Sequence, residues 1–359
     1  MTTAITPEPP PAGINELPAF KKPVPTQPTP MSDWDPLFVQ RRKEISEKIL
    51  TVKSGRTLAY FTEGNPTDPA VLTLHSLGMS KTQFLFSKPL PGIFQISVDR
   101  QGHGNSSPYP PGSRVVCQFS DHVPEYVELL DSLGVDKFYV VGSSMGASWT
   151  IALAAALPDR CLGAAPLSAL PDPWRANMTP ALRKPLCPEG ATILLSIGDS
   201  NCSGSMIRKL MASLFSVISD RTTDPDFAKL YNSYFKYGSP NSNKLAPDFE
   251  LMDSRPFAVS AMLDARLYGG NCKNYGLVEQ IRIFGKQGWG VDPANIKCPV
   301  FYYHPELDSE IPRACAEHFQ RIIPHMQLIE WPKVGHATIV YHAEEIILAL
   351  VQGKAVTPH

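Results

Sequence analysis

From residue 48 onward, short apolar runs alternate with longer amphipathic stretches, and this alternation limits the possible folds more than any other feature of the chain. KILTV and TLAYFTEG flank Ser54-Gly55 and read as a hairpin. AVLTLHS and IFQISVD are apolar runs of buried-strand type, each running into a loop that contains glycine. SDHVPEYVELLDSLG places Val123, Tyr126, Leu129 and Leu130 on one helical face, with Gly134 as its stop. KFYVVG reads as a fifth strand, MGASWTIALAAAL as the helix after it, and LGAAPLSAL as a sixth strand. Strands that are apolar throughout need both faces covered. The pattern therefore predicts an α/β protein with a mostly parallel central sheet flanked by helices.

The alternation stops near Pro171. Residues 171–298 are polar and helix-like, as in SMIRKLMASLFSVI and DPDFAKLYNSYFKYG, with ATILLSI as an ambiguous apolar run. Strand and helix signals then resume with PVFYYHP, RACAEHFQRII, MQLIEW and AEEIILALV. The predicted organisation is a core in two parts, 36–170 and 299–359, with a helical cap over 171–298 inserted after the sixth strand. Residues 1–35 carry Pro7, Pro9, Pro10, Pro11, Pro18, Pro23, Pro25, Pro28 and Pro30. Few large apolar residues are there to offset the entropy of ordering, so this segment reads as a disordered, proline-rich N-terminal arm.

Composition excludes several function classes. A net charge of -1 supplies no field for nucleic acid or an anionic membrane, and neither is expected as a partner. No apolar run has the length of a membrane span. The opening MTTAITPEPPPAGINELPAF lacks the basic and apolar regions of a secretion signal, so a cytoplasmic location is expected. The seven cysteines are scattered and form no C-x-x-C pair, which suits reduced thiols better than a disulfide frame or zinc site. That spacing leaves a bridge among Cys187, Cys202 and Cys272 open. There is no P-loop, no G-x-G-x-x-G after a strand and no H-E-x-x-H, so no metal, nucleotide or other cofactor is expected. The sequence sets no oligomeric state.

Chemistry enters at Gly142-Ser143-Ser144-Met145-Gly146, between a buried strand and a helix. A serine hydroxyl is a poor nucleophile unless a base takes its proton and the backbone presents its oxygen clear of the chain. A tight strand-to-helix turn presents it, and small residues two positions either side let strand and helix approach. Taken alone, the pentapeptide is also compatible with a structural glycine turn. The expected partners follow in the order acid then histidine, each after a strand: Asp308 after PVFYYHP and His336 after MQLIEW. The carboxylate would fix one imidazole tautomer, and the imidazole would take the serine proton and return it to the leaving group. Such a base gives activity that rises through roughly pH 6 to 7. Asp172, after the sixth strand, is the second-choice acid. His304, Glu306 and Glu310 flank Asp308 and read as solvated or supporting groups, while His75 and His103 read as loop-ordering groups. An oxyanion hole needs two backbone N–H groups, expected from Met145 and from Leu77 in the loop His75-Ser76-Leu77-Gly78.

With these motifs in order the chain resembles the capped, serine-nucleophile branch of the α/β-hydrolase superfamily. The resemblance rests on His75 to Gly78, Asp99 to Ser106, Gly142 to Gly146, Asp308 with Pro312, and Gly335-His336, within residues 47 to 352. It implies the α/β-hydrolase fold, a lid role for 171–298, hydrolysis as the activity, and a structural role for the Asp99–Ser106 loop. One departure is Ser76, where many members carry glycine after the histidine. Serine at the elbow argues against haloalkane dehalogenases and epoxide hydrolases, which resemble this fold but use aspartate there. The expected function is a serine hydrolase acting through an acyl-enzyme on a small carboxylic ester or lactone with an apolar part. The alternatives are a serine aminopeptidase, a C–C bond hydrolase, or a ligand receptor or scaffold that retains the pocket without turnover. Phe215, Tyr231, Tyr234, Phe235 and Phe249 could serve as cap core or as pocket lining.

Overall fold

A computed structural model describes residues 35–108, 118–172 and 288–358, together with Asp248, Phe257, Ser260, Ala261, Asp264, Gln280 and Ile283. The proline-rich arm before residue 35 and the five cap aromatics from Phe215 to Phe249 lie outside the described residues. So do Cys117, Cys187, Cys202 and Cys272.

Eight strands form one sheet: β1 (Lys48–Thr51), β2 (Thr57–Glu63), β3 (Ala70–Leu74), β4 (Phe94–Val98), β5 (Phe138–Ser143), β6 (Cys161–Leu167), β7 (Phe301–Leu307) and β8 (Gln327–Gly335). Their spatial order is β1-β2-β4-β3-β5-β6-β7-β8. β1 pairs antiparallel with β2, and β2 antiparallel with β4. Every pairing from β4 to β8 is parallel. Five α-helices are described: α1 (Pro36–Glu44), α2 (Phe119–Ser132), α3 (Met145–Ala156), α4 (Arg313–Ile322) and α5 (Ala343–Leu350).

The burial follows from the strand composition. β3 and β4 are buried at every position, as expected for strands covered on both faces. On one face, residues such as Leu72, Ile96 and Val140 pack with Phe119, Tyr126, Trp149 and Phe319 from the helices. On the other, Val71, Val141, Leu167 and Tyr303 pack with Ile346, Ile347 and Leu350 of α5. α3 is buried from Gly146 to Ala155 on all sides, so its sequence is apolar right round rather than on one stripe.

The order of the strands also sets where a ligand can sit. After β3 the chain turns one way to β4 and afterwards the other way to β5, so the connections diverge between β3 and β5. In open α/β sheets such a point leaves a crevice at the carboxyl ends of the strands. The loop after β3, the turn after β5, the loop after β7 and the residue after β8 all emerge on that one edge.

β8 runs past the MQLIEW segment to Gly335. Its pairing with β7 continues through a register irregularity at Pro305/Leu307, with Leu307 opposite Gly335. This brings the residue after β8 directly beside the loop after β7. Among the described residues, no helix is long and apolar enough to cross a membrane. Cys161, Cys298 and Cys315 are buried.

Candidate active site

Ser144 stands between β5 and α3 with φ 56° and ψ −117°, a conformation that costs a non-glycine residue roughly 1–3 kcal/mol. The surroundings enforce it. The Ser144 N–H donates to the Leu167 carbonyl of the adjacent β6 at 2.8 Å. The flanking glycines permit the close approach. A Cβ on Gly146 would lie 2.0 Å from the Leu74 carbonyl oxygen of β3, and one on Gly142 would lie 2.3 Å from the Gly146 carbonyl oxygen. Helix and sheet therefore meet backbone to backbone, and the serine is carried at the tip.

Met145 is the first residue of α3, where a backbone N–H has no intrahelical acceptor and the helix dipole favours negative charge. The loop after β3 is held by an amide clasp. The Ser76 N–H donates to Gln83 Oε1 at 2.6 Å, and Gln83 Nε2 donates to Ser76 Oγ at 3.0 Å. The Ser76 N–H is thus engaged, while the Leu77 N–H has no acceptor among the described residues. The serine that departs from the glycine pattern gains a side-chain bond to the short 3-10 turn Lys81–Phe84.

His75 and His103 lie beneath this loop and are neutral. Burial, followed by the charge of Arg100, pushes His75 well below its ordinary value and His103 down to about 3. His75 Nδ1–H donates to the Ser76 carbonyl at 2.8 Å, and its Nε2 accepts from the Arg100 N–H at 3.0 Å. The buried Arg100 guanidinium donates to the carbonyls of His75 and Ser76 at 3.0 and 3.1 Å. Asp99 of the same turn accepts from the Lys81 backbone at 2.8 Å and from Lys81 Nζ at 2.6 Å. The Asp99–Ser106 loop is therefore the footing of the site.

Asp308, at the end of β7, and His336, after β8, are paired. His336 Nδ1 lies 2.9 Å from Asp308 Oδ2 and 3.1 Å from Oδ1. Asp308 also accepts from the Glu310 and Ile311 N–H groups at 2.8 and 2.7 Å and from Ser168 Oγ at 2.5 Å. Burial alone would raise the Asp308 pKa, but the His336 charge and these donors hold it below the usual carboxylate range. The opposite balance holds at His336. Burial would lower its pKa, yet the charges of Asp308 and Glu310, the Asp308 hydrogen bond and the charge of Asp248 push it up to about 10. An ordinary imidazole base titrates through roughly pH 6 to 7. The carboxylates around the ring move the range expected for His336 to alkaline pH.

Asp172 is elsewhere: its Oδ2 accepts from the Trp289 N–H at 2.8 Å. Glu310 meets His336, its Oε2 being 3.4 Å from Nε2. Two further groups carried no sequence signal. Ser168 gains its place on Asp308 from a left-handed conformation after β6, with φ 58°. Asp248 reaches the histidine from the segment between the two halves of the core. Its Oδ1 accepts from the Ala337 N–H, the Thr338 N–H and Thr338 Oγ1, each at 3.0 Å. A Cβ on Gly335 would lie 2.6 Å from that oxygen, so glycine before the histidine admits the carboxylate. Among the described residues, no cluster of histidine, cysteine and carboxylate side chains is arranged to hold a metal ion.

Chemically, this edge of the sheet offers a strained serine, a carboxylate-paired imidazole and amides at a helix N-terminus. Comparison with known proteins bears on the same elements. The sequence profile described as the alpha/beta hydrolase family matches residues 71–349. Lipase 1 of Psychrobacter immobilis is 24% identical over 313 residues, covering 86% of this chain and 84% of that protein. Epoxide hydrolase B of Mycobacterium tuberculosis is 31% identical over 107 residues, only 28% of each chain. The crystal structure of the enol-lactonase from Burkholderia xenovorans LB400 superposes with a TM-score of 0.56 at 16% identity, covering 85% of this chain and all of that one.

Proposed function

Because the chain belongs to the alpha/beta hydrolase family, we propose that it is a serine hydrolase that opens a small carboxylic ester or lactone through an acyl-enzyme. The observation that carries this reading is the Asp308–His336 pair, at 2.9 Å, on the same sheet edge as the strained Ser144 turn. Ser144 Oγ attacks the acyl carbon while His336 Nε2 takes its proton. Asp308 holds the Nδ1–H tautomer and stabilises the imidazolium. The N–H groups of Met145 and Leu77 receive the negative oxygen, in the place where such donors contribute most to rate. His336 then returns the proton to the leaving alkoxide, and water attacks the acyl-enzyme by the same route in reverse.

Ester chemistry is favoured by the serine at the elbow. The local likeness to epoxide hydrolase B covers 28% of the chain, and epoxide hydrolases of this fold use an aspartate where Ser144 stands. The match to Lipase 1 extends over 86% of this chain and points to acyl transfer. Residues 171–298 act as the cap in this reading. Asp248, Phe257, Ser260, Ala261, Asp264, Gln280 and Ile283 are helical, and Asp248, Asp264 and Gln280 among them are buried. A small substrate with an apolar part would be enclosed beneath it.

A fluorophosphonate probe tests the nucleophile. Labelling that maps to Ser144 and vanishes in Ser144→Ala is expected, and a folded protein that resists the probe would overturn the reading. A p-nitrophenyl ester series run against aminoacyl anilides tests the substrate class, with turnover expected on the esters.

A further inference from the structure

His336 is bounded by carboxylates on more than one side. Asp308 faces Nδ1 from the end of β7, Glu310 lies 3.4 Å from Nε2 in the same loop, and Asp248 holds the two peptides that follow the ring. On β7, His304 also faces this ring; burial lowers its pKa, so it adds no positive charge near neutral pH. Among the described residues, the groups facing this imidazole are the carboxylates of Asp308, Glu310 and Asp248 and the neutral His304, and together they favour its charged form.

Nε2 is the nitrogen that must accept the serine proton, and Glu310 beside it adds to the larger effect that Asp308 has from the Nδ1 side. Asp308 on Nδ1 is compatible with either protonation state of Nε2. Glu310 is not neutral in this respect: its carboxylate is stabilised by a proton on Nε2, and that proton removes the lone pair needed for general-base work. We propose that Glu310 is a positioning residue that holds His336 protonated at both ring nitrogens in the resting protein, so that the base is freed only at alkaline pH. The proposal rests on the serine-hydrolase reading. The proton released from Nε2 passes to solvent, which the Glu310 side chain reaches with 30% of its surface exposed, while the Asp308 side chain is fully enclosed.

Two measurements separate the proposal from the reading beneath it. In Ser144→Ala protein, the pKa of His336 is read directly by NMR of 13C-labelled histidine, with no need for turnover. Glu310→Gln should lower it by at least about 1 unit, the usual effect of removing an adjacent opposite charge. In the active protein, the pH midpoint of kcat/KM should fall by a similar amount in Glu310→Gln, with the alkaline plateau kept within about threefold. Glu310→Asp, which keeps the charge but draws it back, should lie between the two. A Glu310→Gln midpoint unmoved in both measurements overturns the proposal, and so does a lower plateau at the same midpoint, which marks a structural role. If Ser144 resists fluorophosphonate at every pH, the hydrolase reading fails while the NMR titration still decides what Glu310 does to the ring.

Discussion

Gly146 shows how tightly the serine turn is built. An alanine there would press its methyl against two backbone carbonyls, 2.0 Å from the oxygen of Leu74 and 2.6 Å from that of His75. Neither can swing aside as a side chain would, because both belong to the end of β3 and its loop. Gly146→Ala is therefore expected to exceed the roughly 1–3 kcal/mol of ordinary overpacking, read as a lower urea midpoint with unchanged slope. Ser168 is the milder case. Its hydroxyl gives Asp308 a charge-assisted bond at 2.5 Å, and Ser168→Ala leaves that oxygen in a buried place with one donor fewer. A loss of about 1.5–3 kcal/mol in stability is expected at neutral pH. If the variant matches the parent in denaturation, the bond contributes nothing. These two positions also show why one was legible in the sequence and the other was not. The glycine spacing around Ser144 shows within one pentapeptide, because both residues that must lack a Cβ belong to the same turn, although Gly146 makes its close approach to β3. Ser168 meets Asp308 across 140 residues, and nothing near it in sequence marks the meeting.

At the scale of elements, the strands and helices outside 171–298 were readable because burial on both faces leaves an apolar run that needs no partner to be recognised. Their order was not. β2 lies beside β4 rather than β3, and that choice is made by pairing across the sheet. The extension of β8 to Gly335 likewise depends on β7, whose register irregularity keeps the two strands together past Trp331. The loop after β3 belongs to the same scale. Gln83 in the 3-10 turn grips both the amide and the hydroxyl of Ser76, the residue before the Leu77 N–H proposed as an oxyanion donor. Gln83→Ala should reduce kcat on the order of tenfold with little change in KM, since a full donor removed costs about a hundredfold or more. Affinity for a boronate transition-state analogue should weaken in parallel, while affinity for a substrate-like amide stays level. A rise in KM alone would show that the clasp shapes the pocket rather than the donor.

For the whole molecule, the halves of the core and the segment between them meet at buried polar contacts that no local sequence pattern announces. Gln280 accepts from Trp149 Nε1 at 2.7 Å, Asp264 accepts from Thr82 Oγ1 at 2.8 Å, and Asp248 caps the turn after His336. The charges at that last junction tie stability to pH. His336 has a pKa raised to about 10, above its ordinary 6.5, so its contribution is complete below pH 6.5 and is lost as pH rises through about 10. Asp248 is raised from 3.8 to about 6, chiefly by burial, so its ionisation weakens the fold as pH rises through that range. Asp308 works the other way: its pKa is lowered, so its contribution is present above 3.8 and is lost as pH falls below that value. Between pH 7 and 10 only the His336 proton among these three changes hands, and the folded state holds it more tightly than the unfolded chain. Stability should therefore decline toward alkaline pH, the same direction in which the proposed base becomes active. Urea denaturation at pH 7 and pH 10 should show the parent protein losing at least about 1.4 kcal/mol more than His336→Gln over that interval, the equivalent of one pKa unit. Equal losses in the two proteins would mean that the ring's proton is no more tightly held in the fold than in the unfolded chain, and the carboxylates around it would then have no electrostatic hold on the site.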